Sequence, residues 1–124
     1  MARPKKNTVD YFPHDCNRSK HLKIIESKYG NDGYAFFYKL REELGKSENH
    51  IISCSTSLDV EYLASETGVS KDKMISMVTT MTDINYLDKE IWTKDQTIWC
   101  GEFVESLSEV YKKRSNDIPK KGNV

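Results

Sequence analysis

No apolar stretch in this sequence approaches the ~18 residues that a membrane-spanning helix needs, which excludes such a helix. Cysteine is scarce as well. The three present, Cys16, Cys54 and Cys100, are odd in number and far apart, and no C-x-x-C joins them. That pattern argues against a disulfide framework and fits a reducing, cytoplasmic compartment. The opening Met1-Ala2-Arg3-Pro4-Lys5-Lys6-Asn7 is basic but has no apolar region behind it, so it does not read as a secretory signal. Net charge is missing too: 19 basic residues balance 19 acidic ones.

What is present suits one domain. At 124 residues the chain has the length of a single domain, and its 37% hydrophobic and 31% charged residues supply one core and a solvated surface. The zero net charge hides an uneven distribution. Residues 1–10 carry a net of +2 and residues 111–124 a net of +4, while the body between holds 11 basic and 17 acidic residues, a net of −6. Basic ends on an acidic body are compatible with nucleic acid meeting the ends.

Residues 1–10 read as a basic arm, loosely docked or disordered. Val9-Asp10-Tyr11-Phe12-Pro13 follows, and its two adjacent rings are expected to pack on the body. Leu22, Ile25 and Tyr29 at helical spacing predict a helix over 19–29 with Gly30 as its stop. Tyr34, Phe37, Leu40 and Leu44 predict a second helix over 33–47, with Lys39, Arg41, Glu42 and Glu43 mostly outside. Ile51 to Cys54 is a short strand candidate. Ser55-Thr56-Ser57 offers caps for a helix over 58–67, and Ser70 caps another over 71–83. Tyr86 to Asp88 and Thr97 to Cys100 read as two short strands, with Lys89 to Gln96 between them as a β-turn with strand or one helical turn. A last helix over 102–113 carries Phe103, Val104, Leu107, Val110 and Tyr111 on one stripe. Residues 115–124 read as a flexible tail or linker. The order predicts a mainly α winged helix-turn-helix with a small β-wing and an extra helix at each end, spanning residues 11–114.

The stretch from Leu63 to Met81 carries the helix-turn-helix reading. Ala64 is small where two helices must cross, Gly68 tolerates positive φ at the turn, and Met74, Val78 and Met81 lock the second helix onto the first. Any αα-corner in a core shows the same features. In DNA-binding versions the second helix enters the major groove. Its outward face here carries Asp72, Lys73, Ser76, Thr79, Thr80 and Asp83. Ser76 and Thr80 suit bases or phosphates, and Lys71 and Lys73 suit phosphates. Asp72 and Asp83 oppose them, and no Arg or Asn is present for bidentate base reading. The candidate DNA-contacting set is therefore Lys71, Lys73, Ser76 and Thr80 on the helix, Lys89 and Lys94 on the wing, and Arg3, Lys5, Lys6, Lys112, Lys113 and Arg114 as phosphate arms.

Several segments together resemble a known family. Ala2 to Asn7, Asp10-Tyr11-Phe12-Pro13, Lys28-Tyr29-Gly30 and Gly33-Tyr34-Ala35 are similar to the N-terminal domain of phage and prophage replisome-organiser proteins, the DnaD-like replication initiation proteins of low-GC Gram-positive bacteria. The turn Ala64 to Gly68-Val69-Ser70 and the basic Lys112-Lys113-Arg114 fit the same pattern, and the likeness covers roughly residues 2–114. It implies a winged helix that helps assemble a replication complex at a phage-type origin. Its partners would be DNA, other replication proteins or a second copy, and family members often carry a further domain after a linker.

Other chemistries find less support. His14, Cys16 and His21 lie close in sequence, but a zinc site needs four ligands in a tetrahedron, and Cys54, Cys100 or His50 would have to come from afar. Isolated cysteines are more often plain buried side chains. No thiol and imidazole pattern marks a nucleophile, so no enzyme, metal or cofactor is expected. Tyr34, Phe36, Phe37 and Tyr38 resemble a base-stacking platform, yet on an amphipathic helix such rings are more often core. Of Trp92 and Trp99, one is expected inside and the other on the surface.

Overall fold

The computed structural model describes residues 6–121. Helix α1 spans Lys20–Tyr29, α2 Asn31–Lys46, α3 Ser57–Thr67, α4 Lys71–Asp83, α5 Lys89–Asp95, α6 Gly101–Ser106 and α7 Ser108–Lys113. A 3₁₀ turn occupies Glu48–His50, and strands β1 (Ile52–Ser53) and β2 (Thr97–Ile98) pair antiparallel, Ile52 opposite Ile98. The described chain is thus mainly helical, seven α-helices around one small two-stranded sheet.

Local chemistry sets the helix ends. Ser19, Thr56, Ser70 and Asp88 each cap a helix by accepting a backbone N–H with the side-chain oxygen, which satisfies one of the orphan donors there. Gly30 closes α1 at φ 67, and Gly68 closes α3 at φ 75, both in the left-handed half of backbone space that glycine enters without a Cβ clash. Helix α2 starts at Asn31, so Gly33 lies inside it and not in a turn. A Cβ at Gly33 would stand 2.6 Å from the Ile25 carbonyl oxygen. Hydrogen there lets α1 and α2 meet at a tight corner.

The core gathers Leu22 and Ile25 from α1, Phe36, Phe37, Leu40 and Leu44 from α2, and Leu63 from α3. Met74, Met77, Val78 and Met81 join them from α4, with Phe103, Leu107 and Tyr111 from the last two helices. The expected stripe on α2 was partly wrong. Phe36 is fully buried while Tyr34 is half-buried, and Arg41 and Glu43, expected outside, are buried. Phe36 and Phe37 therefore stack no bases. Tyr38 is half-buried, with its ring 3.8 Å from that of His14. Trp99 is buried and Trp92 half-buried.

Two further element expectations change. Tyr86 to Asp88 is not a strand: the N–H groups of Tyr86 and Leu87 both donate to the Met81 carbonyl, which ends α4. Asp88 then caps α5 through Oδ1 to the Ile91 N–H at 2.9 Å, so of the two forms expected for Lys89 to Gln96 the chain takes the helical one, with two turns in place of one. A backbone bond, Asp88 N–H to the Trp99 carbonyl at 2.8 Å, links the segment to the second strand region. The last helix also breaks, at Leu107, where ψ is 4°. Ser106 Oγ donates to the Phe103 carbonyl, a side-chain bond that competes with the helical ladder.

Both ends of the described chain are seated. Val9 is buried, its N–H donates to the Gly45 carbonyl at 2.7 Å, and Asn49 N–H donates to Asn7. At the other end Pro119 is buried, and Ile118 packs against Ile91, Trp99 and Val104. Lys121 pairs with Asp88 at 2.7 Å.

Candidate nucleic-acid interface

Helices α3 and α4 meet across the turn Gly68-Val69-Ser70. Ala64 is buried at the end of α3, and its carbonyl accepts the N–H groups of both Gly68 and Val69. Four α4 side chains, Met74, Met77, Val78 and Met81, are fully buried, so α4 is fixed in rotation. Asp72, Ser76, Thr79 and Asp83 stand exposed on its outer side, with Lys73 and Thr80 half-buried beside them.

The helix residues singled out from sequence do lie on this outer side, but none is idle. Lys71 Nζ sits 3.3 Å from Glu61 Oε1 of α3. Lys73 pairs with Asp32 at the start of α2; the ammonium donates to that carboxylate and holds its pKa below the ordinary value. Tyr29, the last residue of α1, places its hydroxyl 2.7 Å from Ser76 Oγ and 2.9 Å from Thr80 Oγ1. Lys28 Nζ donates to Thr80 Oγ1 at 3.2 Å, and Thr80 in turn donates to the Ser76 carbonyl at 3.0 Å. One proton arrangement satisfies the cluster: Thr80 donates to the backbone and accepts from Lys28 and Tyr29, while Ser76 donates to Tyr29. Burial alone would raise the Tyr29 phenol. The bonds with Ser76 and Thr80, with the Lys28 charge, outweigh it and bring the pKa below its usual value.

The polar face therefore joins α1 to α4, with Asp32 of α2 and Glu61 of α3 set against its lysines. Lys28 and Tyr29 belong to it and were missed, because Tyr29 sits on the inward spacing of α1 and its partners are about fifty residues away. Both hydroxyls expected to suit bases or phosphates are engaged within the protein. Direct base reading through them would require Tyr29 to let go. Lys71 and Lys73 sit in weak surface ion pairs and Lys28 donates to a neutral hydroxyl, contacts that a phosphate oxygen could replace at little cost.

The other candidates are dispersed. Lys89 and Lys94 are exposed on α5, a helix and not a wing. Arg114 is a strut: its Nη1 donates to the carbonyls of Lys6 at 3.2 Å and Thr8 at 2.8 Å, and its guanidinium lies over the Tyr111 ring. Lys6 pairs with Asp10, while Lys112 and Lys113 are exposed on α7 close by in sequence. Arg3 and Lys5 lie outside the described residues.

His14, Cys16 and His21 do not converge. His14 stacks on Tyr38, and His21 faces Glu102 at 3.1 Å. Among the described residues no group of three or more His, Cys, Asp or Glu side chains is placed to hold a metal. Burial pushes the Cys54 thiol up to about 11 and raises that of Cys100; thiols so protonated are poor nucleophiles near neutrality. No described helix is long and apolar enough to cross a membrane.

Residues 11–103 match the family model described as Lin1244/Lin1753-like, N-terminal. No curated protein and no solved structure matches the chain.

Proposed function

The chain belongs to the Lin1244/Lin1753-like N-terminal family, and from that premise we propose that it is a DNA-binding domain of a replication-initiation protein, related to the DnaD-like replisome organisers. Its fold is read as a variant winged helix in which β1 and β2 form the remnant sheet, α3 and α4 the helix-turn-helix, and α5 replaces the first strand of the wing. The observation that carries the reading is the outer side of α4: a helix locked by four buried apolar side chains, presenting Lys71 and Lys73, with Lys28 supplied by α1. Such a face binds backbone phosphates more readily than base edges, since phosphate contacts need cations in register and no bidentate donor–acceptor pairs. Binding is therefore expected to be weakly sequence-dependent and strongly salt-dependent.

The test is fluorescence anisotropy of a labelled duplex at two salt concentrations. Affinity should fall with salt at a log–log slope near −0.9 per phosphate contacted. Reversing Lys28 and Lys73 together (Lys28→Glu, Lys73→Glu) should weaken binding by about tenfold or more and flatten that slope by about two contacts. Unchanged affinity in the double variant would remove α4 from the interface.

A second reading, a protein-docking module of the replication complex, is favoured by one observation. Leu58 and Tyr62, one helical turn apart on α3, are 75% and 61% exposed. Large apolar side chains paired on one face mark a contact surface more often than isolated ones do. No duplex binding even at low salt would make this the better account.

A further inference from the structure

One charged side chain is buried in the core without a charged partner. Arg41 of α2 is 9% exposed, and no ion pair among the described residues includes it. Its Nε donates to Tyr86 Oη at 2.9 Å. Its guanidinium carbon lies 5.0 Å from the ring centroid of Phe37, 5.6 Å from that of Phe103 and 6.0 Å from that of Tyr38. Aromatic faces recover part of the cost of taking a cation out of water. They cannot serve all five N–H donors of a guanidinium.

The unused donors point somewhere definite. Among the described residues no buried side-chain nitrogen lacks a partner, and the Nε bond is the one that Arg41 makes there. Its terminal nitrogens must therefore reach open space. The cleft that Arg41 lines, about 210 Å³ and bounded also by Phe37, Tyr38, Pro13, Asp15 and Glu102, is the space beside it.

We propose that this cleft binds a small zwitterion, an α-amino acid with an apolar side chain, whose carboxylate takes the free fork of Arg41 while its ammonium faces Asp15 and Glu102. A guanidinium fork matches a carboxylate in bidentate geometry. The two acidic residues at the rim repel a plain anion, so a ligand that carries an ammonium as well is favoured. Asp15 spends Oδ1 on the Asn17 N–H, and Glu102 spends Oε2 on His21, which leaves one oxygen on each for the ligand. Phe37, Tyr38 and Pro13 supply an apolar wall. The volume lies below the ~300–1,000 Å³ of sites for drug-sized ligands, which limits the occupant to about the size of one amino acid. The site is separate from the α4 face and does not depend on DNA binding.

NMR titration of the isotope-labelled chain tests it, with three probes: L-leucine, 4-methylpentanoate (leucine without its amine) and 3-methylbutylamine (leucine without its carboxylate). Leucine should shift the Phe37, Tyr38 and Tyr86 ring signals saturably, and each half-ligand should bind at least about tenfold more weakly. Arg41→Gln should abolish the shifts. Because that change also disturbs the core, the exposed pair Asp15→Asn and Glu102→Gln provides an independent arm. It should weaken leucine by about tenfold while leaving 4-methylpentanoate unchanged or tighter. Absence of saturable shifts at millimolar leucine, equal binding of the amine, or rim variants that leave leucine affinity intact would each overturn the proposal.

Discussion

At the scale of single residues, the most consequential group outside the α4 face is His50. It is fully buried, and it sits beside Asn49 in left-handed backbone, φ 56 at both. Neither residue is glycine, so the turn is held in place by its contacts. His50 Nδ1 lies 2.8 Å from the Leu44 carbonyl and Nε2 lies 2.5 Å from Tyr111 Oη. A carbonyl only accepts, so Nδ1 carries the proton and Nε2 accepts from the phenol. The neutral ring is thereby satisfied on both sides, and burial pushes its pKa below the ordinary value. The sign follows. The unfolded ring takes a proton first as pH falls through about 6.5, so His50 contributes its full share of stability above that value and loses it progressively below. The urea midpoint of the native chain should therefore drop between pH 7.5 and 5, and the drop should shrink in His50→Gln. Tyr111→Phe, which leaves Nε2 without its donor, should cost about 1–3 kcal/mol at pH 7.5.

At the scale of elements, α5 shows how one side chain redirects a segment. The stretch after Tyr86 has strand-like composition, but Asp88 is an N-cap, and its carboxylate serves both the Ile91 N–H and Lys121. Burial alone would raise the Asp88 pKa; the Lys121 and backbone bonds overcome that and lower it. Asp88→Ala should destabilise the chain by about 1 kcal/mol, and hydrogen exchange should quicken over residues 91–95. Asp88→Asn keeps the cap and should lose much less. Equal losses in both variants would mean that the charge, not the cap, holds α5. The same local chemistry made much of the fold legible in advance. Ser70, Gly68 and Gly30 mark their helix boundaries through bonds and dihedrals spanning a few residues, and both α3 and α4 lie within a residue or so of where those signals put them. Arg41 was misplaced for the converse reason. Its environment is made by Tyr86 and Phe103, which helical spacing on α2 cannot reveal.

At the scale of the molecule, charge segregation was readable but its geometry was not. The acidic body and basic ends are plain in the sequence, yet Arg114, counted there as a phosphate arm, spends Nη1 on the chain's own backbone. Likewise the α4 residues named from sequence share its outer side, while the α1 side chains bonded to them were not foreseen. Contacts between residues far apart in the chain leave no periodicity to read.

That Arg114 strut has a kinetic meaning. Its bonds to Lys6 and Thr8 join positions 108 and 106 residues apart, so they close nearly the longest loop the described chain contains. Loop closure of that span is entropically costly and rewards the chain only once the intervening helices have packed. The strut is therefore expected to form after the folding barrier has been crossed. Arg114→Ala should accelerate unfolding in stopped-flow measurements and leave the refolding rate nearly unchanged. A slowed refolding limb would place the joined ends in the folding nucleus instead. If the strut closes late, it governs how long the molecule stays folded and has little influence on how fast it folds.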